Sequence, residues 1–124
     1  MLHSYAFSNF QSFRERVEVD LTISRKVAMT EWMHEVPTGE RVSKLMAVIG
    51  PNGSGKTALL KPMAFIAWFV SQSFQSPHDA GIPVAPHAAA TNEPTELECT
   101  LDFDGKLWRY VLRCTSERVL HEAL

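Results

Sequence analysis

"VIGPNGSGKTALL", Val48–Leu60, passes from apolar residues through a glycine-rich turn into a lysine, a hydroxyl and more apolar residues. Ahead of it, "KLMAVIG" (Lys44–Gly50) is a continuous apolar run, as expected of a strand covered on both faces. From Gly55 the pattern changes to that of a helix. Leu59, Met63, Ile66, Val70 and Phe74 recur at spacings of four and three and define one face over Gly55–Phe74. Pro62 falls inside that pattern and is expected to kink it or weaken its second turn. Leu60, Phe65, Trp68 and Phe69 make the helix apolar on most sides, which predicts deep burial and core packing.

Between strand and helix, Gly50-Pro51-Asn52-Gly53-Ser54-Gly55-Lys56-Thr57 fits G-x-x-x-x-G-K-[ST] in the context a phosphate-binding loop requires. Each residue type has a physical task. The glycines let the backbone take left-handed angles and approach phosphate oxygens with no Cβ in the way. Backbone N–H groups from about Gly53 to Thr57 then line a nest for the β-phosphate. Pro51 has no N–H and fixes the start of the turn. The helix contributes its free first-turn N–H groups and the positive end of its dipole, worth about 0.3–1 kcal/mol. Lys56 adds charge-assisted hydrogen bonds of about 1.5–3 kcal/mol each, so the lysine outweighs the dipole. Thr57 supplies a hydroxyl to Mg²⁺. The expected ligands are ATP and Mg²⁺, held by Asn52, Gly53, Ser54, Gly55, Lys56 and Thr57. Hydrolysis also needs an acid at the end of a second apolar strand. No such run follows the loop, and Asp102, the nearest candidate, lies on the polar side of an alternating strand.

The flanking segments read as mostly β. Leu2–Phe10 and "RVEVDLTI" (Arg16–Ile23), in which Val17, Val19, Leu21 and Ile23 alternate with polar residues, are expected to form an antiparallel pair. Ser24–Ser43 is mixed, with "PTGE" (Pro37–Glu40) as its turn signal and room for a further strand. After the helix, "QSPHDAGIPVAPHAAATNEP" (Gln75–Pro94) is a long loop without periodicity, of the kind that is functional or disordered. His78 and His87 read there as solvated residues. "ELECTLDFDGKLWRYVLRC" (Glu96–Cys114) is a hairpin turning at Asp104-Gly105. That turn sets Leu101 opposite Trp108, Cys99 opposite Tyr110 and Leu97 opposite Leu112. The other face pairs Glu96 with Arg113 and Thr100 with Arg109, and Cys99 stays apart from Cys114. "ERVLHEAL" (Glu117–Leu124) is a third strand or a short helix.

Composition bounds the function. The chain has 124 residues, 45% apolar and 21% charged, with a formal charge of −2. It is one domain at most. There is no basic excess for a nucleic-acid-coating surface, so any nucleic acid is to be met by parts outside these residues. The start lacks a signal-peptide pattern, and the longest apolar run, "MAFIAWFV" (Met63–Val70), is far short of a membrane span. Reduced thiols in the cytoplasm, and no membrane partner, are the expectation.

The order of these parts is similar to the N-terminal lobe of ABC-type ATPases of the SMC, RecF and OLD kind. More narrowly, it resembles bacterial AAA-annotated, OLD-like ATP-binding proteins, many linked to phage defence. The residues that carry the resemblance are "SNFQSF", "IGPNGSGKT", Pro94-Thr95-Glu96-Leu97-Glu98, Asp104-Gly105 through Trp108 and Tyr110, and Glu122-Ala123-Leu124. The resemblance implies an α/β P-loop fold with a mixed sheet and an antiparallel meander. It divides a partial ATP-binding domain into N-terminal strands (1–43), strand, loop and helix (44–74), a loop (75–95) and the meander (96–124). Asn9, Gln11 and Ser12 lie where such proteins often approach the base or ribose, although the same residues read equally as a strand end with a turn. The family's acidic Mg²⁺ strand, signature segment and switch histidine are not recognisable. The expected function is ATP binding, as the first lobe of an ATPase that dimerises around ATP and drives a nucleic-acid-directed effector. The alternative is a non-hydrolysing nucleotide- or partner-binding module, a truncated remnant that self-associates. A small-molecule kinase is disfavoured, because strand patterns precede the loop.

Overall fold

The computed structural model describes residues 1–37, 39–77 and 79–124. Its main sheet has five antiparallel strands. These are β1 (Leu2–Ser8), β2 (Val17–Asp20), β6 (Thr95–Phe103), β7 (Lys106–Cys114) and β8 (Val119–Ala123), in the order β2-β1-β6-β7-β8. A smaller sheet holds β3 (Thr22–Ile23), β4 (Met33–Glu35) and β5 (Arg41–Ser43) in the order β3-β5-β4. One helix, α1 (Lys56–Gln72), runs into a short 3-10 turn at Ser73–Gln75.

The hairpin forms in the register its turn dictates. Leu101 opposes Trp108, Cys99 opposes Tyr110, Leu97 opposes Leu112, Glu96 opposes Arg113 and Thr100 opposes Arg109. Asp104 (φ 52°) and Gly105 (φ 69°) both take left-handed angles, as a tight two-residue turn between twisted strands demands. Cys99 and Cys114 are buried, free thiols, and burial pushes the Cys114 thiol up to about 11. β1 pairs with β2 as expected, Tyr5 opposite Val19 and Phe7 opposite Val17. The run Arg16–Ile23, expected as one strand, is two, because the chain leaves the main sheet after Asp20 and joins the smaller one at Thr22. Ser24–Ser43 supplies both remaining strands of the small sheet. At its turn Gly39 (φ 80°) donates to the Val36 carbonyl, while Thr38 lies outside the described residues. Residues 119–123 choose the strand.

The core lies between one face of the main sheet and α1. Tyr5, Phe7, Leu97, Cys99, Tyr110 and Leu112 meet Ile66 and Phe69, with Phe10 and Val84 closing one side. The helix starts at Lys56 and carries Pro62 fully buried within it. It is buried on one face only. Ala58, Pro62, Ile66 and Phe69 point inward, whereas Leu60, Val70 and Phe74 are exposed, contrary to the all-round burial that the sequence suggests. The reason is geometric: the helix has a single sheet to pack against.

A second correction concerns Lys44–Gly50. It is no strand of either sheet, and Leu45 and Ile49 are 63% and 93% exposed rather than covered. The chain bends at Lys44, whose N–H still reaches the Trp32 carbonyl, and among the described residues no strand pairs with residues 45–50.

The loop after the helix is packed down. The backbone of Gln11 donates to Ala85, that of Ile82 donates to Ser116, and Val84 and Ala90 are buried. His87 gives its backbone N–H to the Asn9 side chain, and His78 lies outside the described residues.

On the outer sheet face Glu98 accepts from Arg109 at 2.7 Å and from Arg16 at 3.2 Å, so Arg109 reaches diagonally past its cross-strand neighbour Thr100. The hydrogen bond from Arg109, aided by Arg16, holds the Glu98 carboxyl below its usual range against the opposing effect of burial. A carboxyl with a depressed folded-state pKa adds stability above its unfolded value and loses it as pH falls through the folded one. Glu98→Gln is therefore expected to lower the melting temperature at neutral pH by an amount equivalent to less than about 1 kcal/mol. The difference should vanish in acid, and a gap that persists there in melts of both proteins would contradict this account.

Candidate phosphate-binding site

The site is built where residues 45–50, which pair with no strand among the described residues, lead into α1. Gly53 (φ 80°) and Gly55 (φ 87°) stand in the left-handed region, which explains a glycine at each. A Cβ on Gly53 would meet nothing, whereas one on Gly55 would lie 3.2 Å from the Phe13 ring. Gly55 is the N-cap of α1 without any side-chain cap, so the first-turn N–H groups carry no side-chain acceptor. Its carbonyl accepts from the Leu59 N–H, starting the helix ladder. The Ser54 N–H donates to the Pro51 carbonyl at 3.3 Å, which curls the loop.

Lys56 folds back over this curl. Its Nζ donates to the carbonyls of Gly50 at 2.7 Å and Pro51 at 2.6 Å. An ammonium bound by neutral carbonyls at the lip of a helix N-terminus is poised to exchange them for anionic oxygens. Asn52, Gly53, Ser54, Gly55, Lys56, Thr57 and Ala58, together with Gln11, line a cleft of about 390 Å³. The structure thus gathers all six sequence-derived loop residues around one space.

The three residues of the β1–β2 connection part company. Gln11 lines the cleft, and Ser12 Oγ lies 3.6 Å from the Cβ position of Gly55. Asn9 is elsewhere. It is 4% exposed, and its amide donates to the carbonyls of Ala90, Glu93 and Pro94 while accepting from the His87 N–H. Thr95 Oγ1 in turn donates to the Asn9 carbonyl. Asn9 is the pin that fastens the long loop to the end of β1. Its left-handed φ of 50°, which asparagine tolerates better than most residues, places it at the turn. Neither Asp102 nor Glu98 lines the cleft.

Sequence reasoning missed Phe13 and Tyr5. Phe13 packs edge-on against Phe7 with ring centroids 5.4 Å apart and presses on Gly55, carrying the β1–β2 turn onto the start of the helix. Tyr5 donates its hydroxyl to the Leu59 carbonyl at 3.0 Å, tying the first strand to the end of the first turn of α1. For a Mg²⁺ ion the residue present in the cleft is Thr57, whose hydroxyl fits a cation already carried by phosphate oxygens.

A family model described as "AAA domain, putative AbiEii toxin, Type IV TA system" matches residues 45–124, from the unpaired run through the last strand. No curated protein matches the chain. No helix of the described residues is long and apolar enough to cross a membrane.

Proposed function

The chain belongs to the AAA-domain family whose model spans its residues 45–124, and on that premise we propose that it binds ATP with Mg²⁺ in the cleft at the start of α1. The observation that carries this reading is the convergence of Lys56 and two left-handed glycines on the uncapped N-terminus of α1. Asn52 to Thr57 would cradle the triphosphate through backbone N–H groups, Lys56 would bridge its outer oxygens, and Thr57 would give its hydroxyl to Mg²⁺. Gln11 lines the cleft and Ser12 stands beside Gly55, on the side where the base or ribose would lie.

More narrowly, the reading is of an ABC-type lobe of the SMC, RecF or OLD-like kind, coupled to a nucleic-acid-directed effector in phage defence. The family description, with its toxin–antitoxin wording, supports a place among defence systems. The lobe would work in the cytoplasm and dimerise around ATP, with any nucleic acid met by parts outside these residues. A second reading, a nucleotide- or partner-binding module without turnover, is favoured by the bare apolar segment ahead of the loop.

Calorimetric titration with Mg-ATP and Mg-ADP, paired with a phosphate-release assay, tests the proposal. Saturable binding of both nucleotides is expected, without release above the no-protein control, since among the described residues no acidic side chain lines the cleft. Absence of binding would sink the nucleotide assignment. Steady release would instead place a catalytic acid within this chain, with Asp102 and Glu98 as the first to replace.

A further inference from the structure

Asn52 is followed by Gly53 in the exposed part of the phosphate-binding loop. An asparagine ahead of a glycine is chemically labile, because no Cβ keeps the glycine nitrogen from the side-chain carbonyl carbon. Folding suppresses this reaction by engaging either the amide or the N–H that follows it. The two other asparagines of the chain show that protection. Asn9 is 4% exposed, its amide is bonded to the carbonyls of Ala90, Glu93 and Pro94, and the next N–H, that of Phe10, donates to the Phe13 carbonyl at 2.8 Å. Asn92 is followed by Glu93, whose N–H donates to the Ala90 carbonyl at 3.0 Å. At Asn52 neither lock exists. Among the described residues its side-chain amide has no hydrogen-bond partner, and the Gly53 N–H has no backbone acceptor. The turn is closed by the Ser54 N–H on the Pro51 carbonyl at 3.3 Å, and a Cβ on Gly53 would meet nothing within 4 Å, so the segment has room to bend.

The loop also favours the reaction electrostatically. The uncapped first turn of α1 and the Lys56 ammonium give the cleft a positive potential. That potential stabilises a deprotonated Gly53 amide, the attacking species, as it would a phosphate oxygen. The feature that suits the cleft to an anion therefore makes its own backbone reactive.

We propose that Asn52 is a self-modification site, at which the empty phosphate-binding loop deamidates and loses its affinity for phosphate. The Gly53 nitrogen, having lost its proton to solvent, attacks Asn52 Cγ. The N–Cγ bond forms, the Cγ–Nδ2 bond breaks, and the side-chain nitrogen takes up a proton and leaves as ammonia. Water then opens the five-membered imide at one carbonyl or the other. One opening gives aspartate; the other gives isoaspartate, which carries the backbone through one extra carbon. Nothing is oxidised or reduced, and water is the only co-reactant. Either product sets a carboxylate in the cleft that Asn52 lines, where it repels phosphate, and isoaspartate also shifts Gly53 within the nest. A bound phosphate would accept from the Gly53 N–H and cancel the potential, so an occupied loop is protected. These effects on phosphate rest on the nucleotide reading, whereas the modification itself does not.

The test incubates the full chain in warm, mildly alkaline buffer without nucleotide and follows it by peptide mass analysis. Asn52 should convert to the acid, partly as isoaspartate and with release of ammonia, at a rate comparable with that of a synthetic peptide of residues 48–60. Asn9 and Asn92 should keep their amides. Asn52→Gln should keep its amide over the same time, since cyclisation there needs a six-membered ring. Isoaspartate is assigned peptide by peptide, because Asp104-Gly105 can rearrange through the same kind of imide. An Asn52 that stays intact while the peptide converts, or that ages no faster than Asn9, would overturn the proposal. Titration reads the consequence. Aged protein and Asn52→Asp should each bind Mg-ATP about tenfold or more weakly than fresh protein. Saturating Mg-ATP should slow the conversion several-fold. Equal affinity of fresh and aged protein would overturn the loss of phosphate affinity. Fresh protein that binds no nucleotide would refute the nucleotide reading instead, with the modification then decided by mass alone.

Discussion

Replacing Lys56 by alanine is expected to lower the affinity for Mg-ATP by about two orders of magnitude, while the chain stays folded. Charge-assisted hydrogen bonds to phosphate are worth about 1.5–3 kcal/mol each. Against that gain stand the two bonds Lys56 gives up, to the Gly50 and Pro51 carbonyls. Those acceptors are neutral, so exchanging them for anionic oxygens leaves a net benefit. A hundredfold loss corresponds to about 2.7 kcal/mol, within what one such ammonium supplies. What remains in the variant is the backbone nest and the helix dipole, about 0.3–1 kcal/mol per favourable charge, so weak residual binding is expected. The free protein should also register the change. With the lysine gone, the carbonyls of Gly50 and Pro51 lose their shared donor, and amide exchange in residues 52–54 should speed up. Titration of both proteins decides the matter: equal affinities would mean that the cleft is not the nucleotide site.

Much of this architecture is local, and the local part is legible in the sequence. The hairpin register follows from period-two alternation on either side of Asp104-Gly105, because a two-residue turn leaves no freedom in which residues oppose. The phosphate-binding loop is legible for the same reason, since its glycines answer to φ angles within the loop itself. The helix face is only half legible. Spacings of four and three select Leu59, Met63, Ile66, Val70 and Phe74, whereas the buried stripe is Ala58, Pro62, Ile66 and Phe69. The two stripes share Ile66 and otherwise differ by a single residue of rotation. In a helix with apolar residues on most sides, periodicity does not choose between them; the position of the sheet does. Asn9 fails differently. Its partners lie more than 80 residues away along the chain, at Ala90, Glu93 and Pro94, and no local pattern encodes them. Lys44–Gly50 reads as a doubly covered strand because its composition asks for cover on both faces. Composition states that demand without saying which strand meets it.

Phe7→Ala is expected to bring the largest loss of stability, and to take the site with it. Phe7 is fully buried in β1, stacked near Tyr5 and edge-on to Phe10 and Phe13 with centroids 6.1 and 5.4 Å away. Removing a buried phenyl ring typically costs about 3–5 kcal/mol, from lost transfer energy and the cavity left behind. Whole domains are stable by about 5–15 kcal/mol, so this single change removes a large share. For a chain of this length the melting temperature should fall by roughly 10–20 °C. The loss reaches the cleft through Phe13. That ring is wedged between Phe7 and Gly55 and holds the β1–β2 turn against the start of α1. With the Phe7 ring absent, Phe13 relaxes into the cavity, and the rim formed by Gln11 and Ser12 loses its support. Phe7→Leu separates the two effects, since it keeps most of the volume and forfeits only the aromatic edge contacts, worth about 0.5–1.5 kcal/mol each. Thermal melts and nucleotide titrations of both variants, at a temperature where each is folded, should therefore rank native, leucine and alanine in falling order on both measures. A Phe7→Ala chain that melts within a few degrees of the native protein would show that α1 and the β1–β2 turn are held to the sheet by other contacts. Nucleotide affinity unchanged in that variant would show that Phe13 keeps its place against Gly55 unaided.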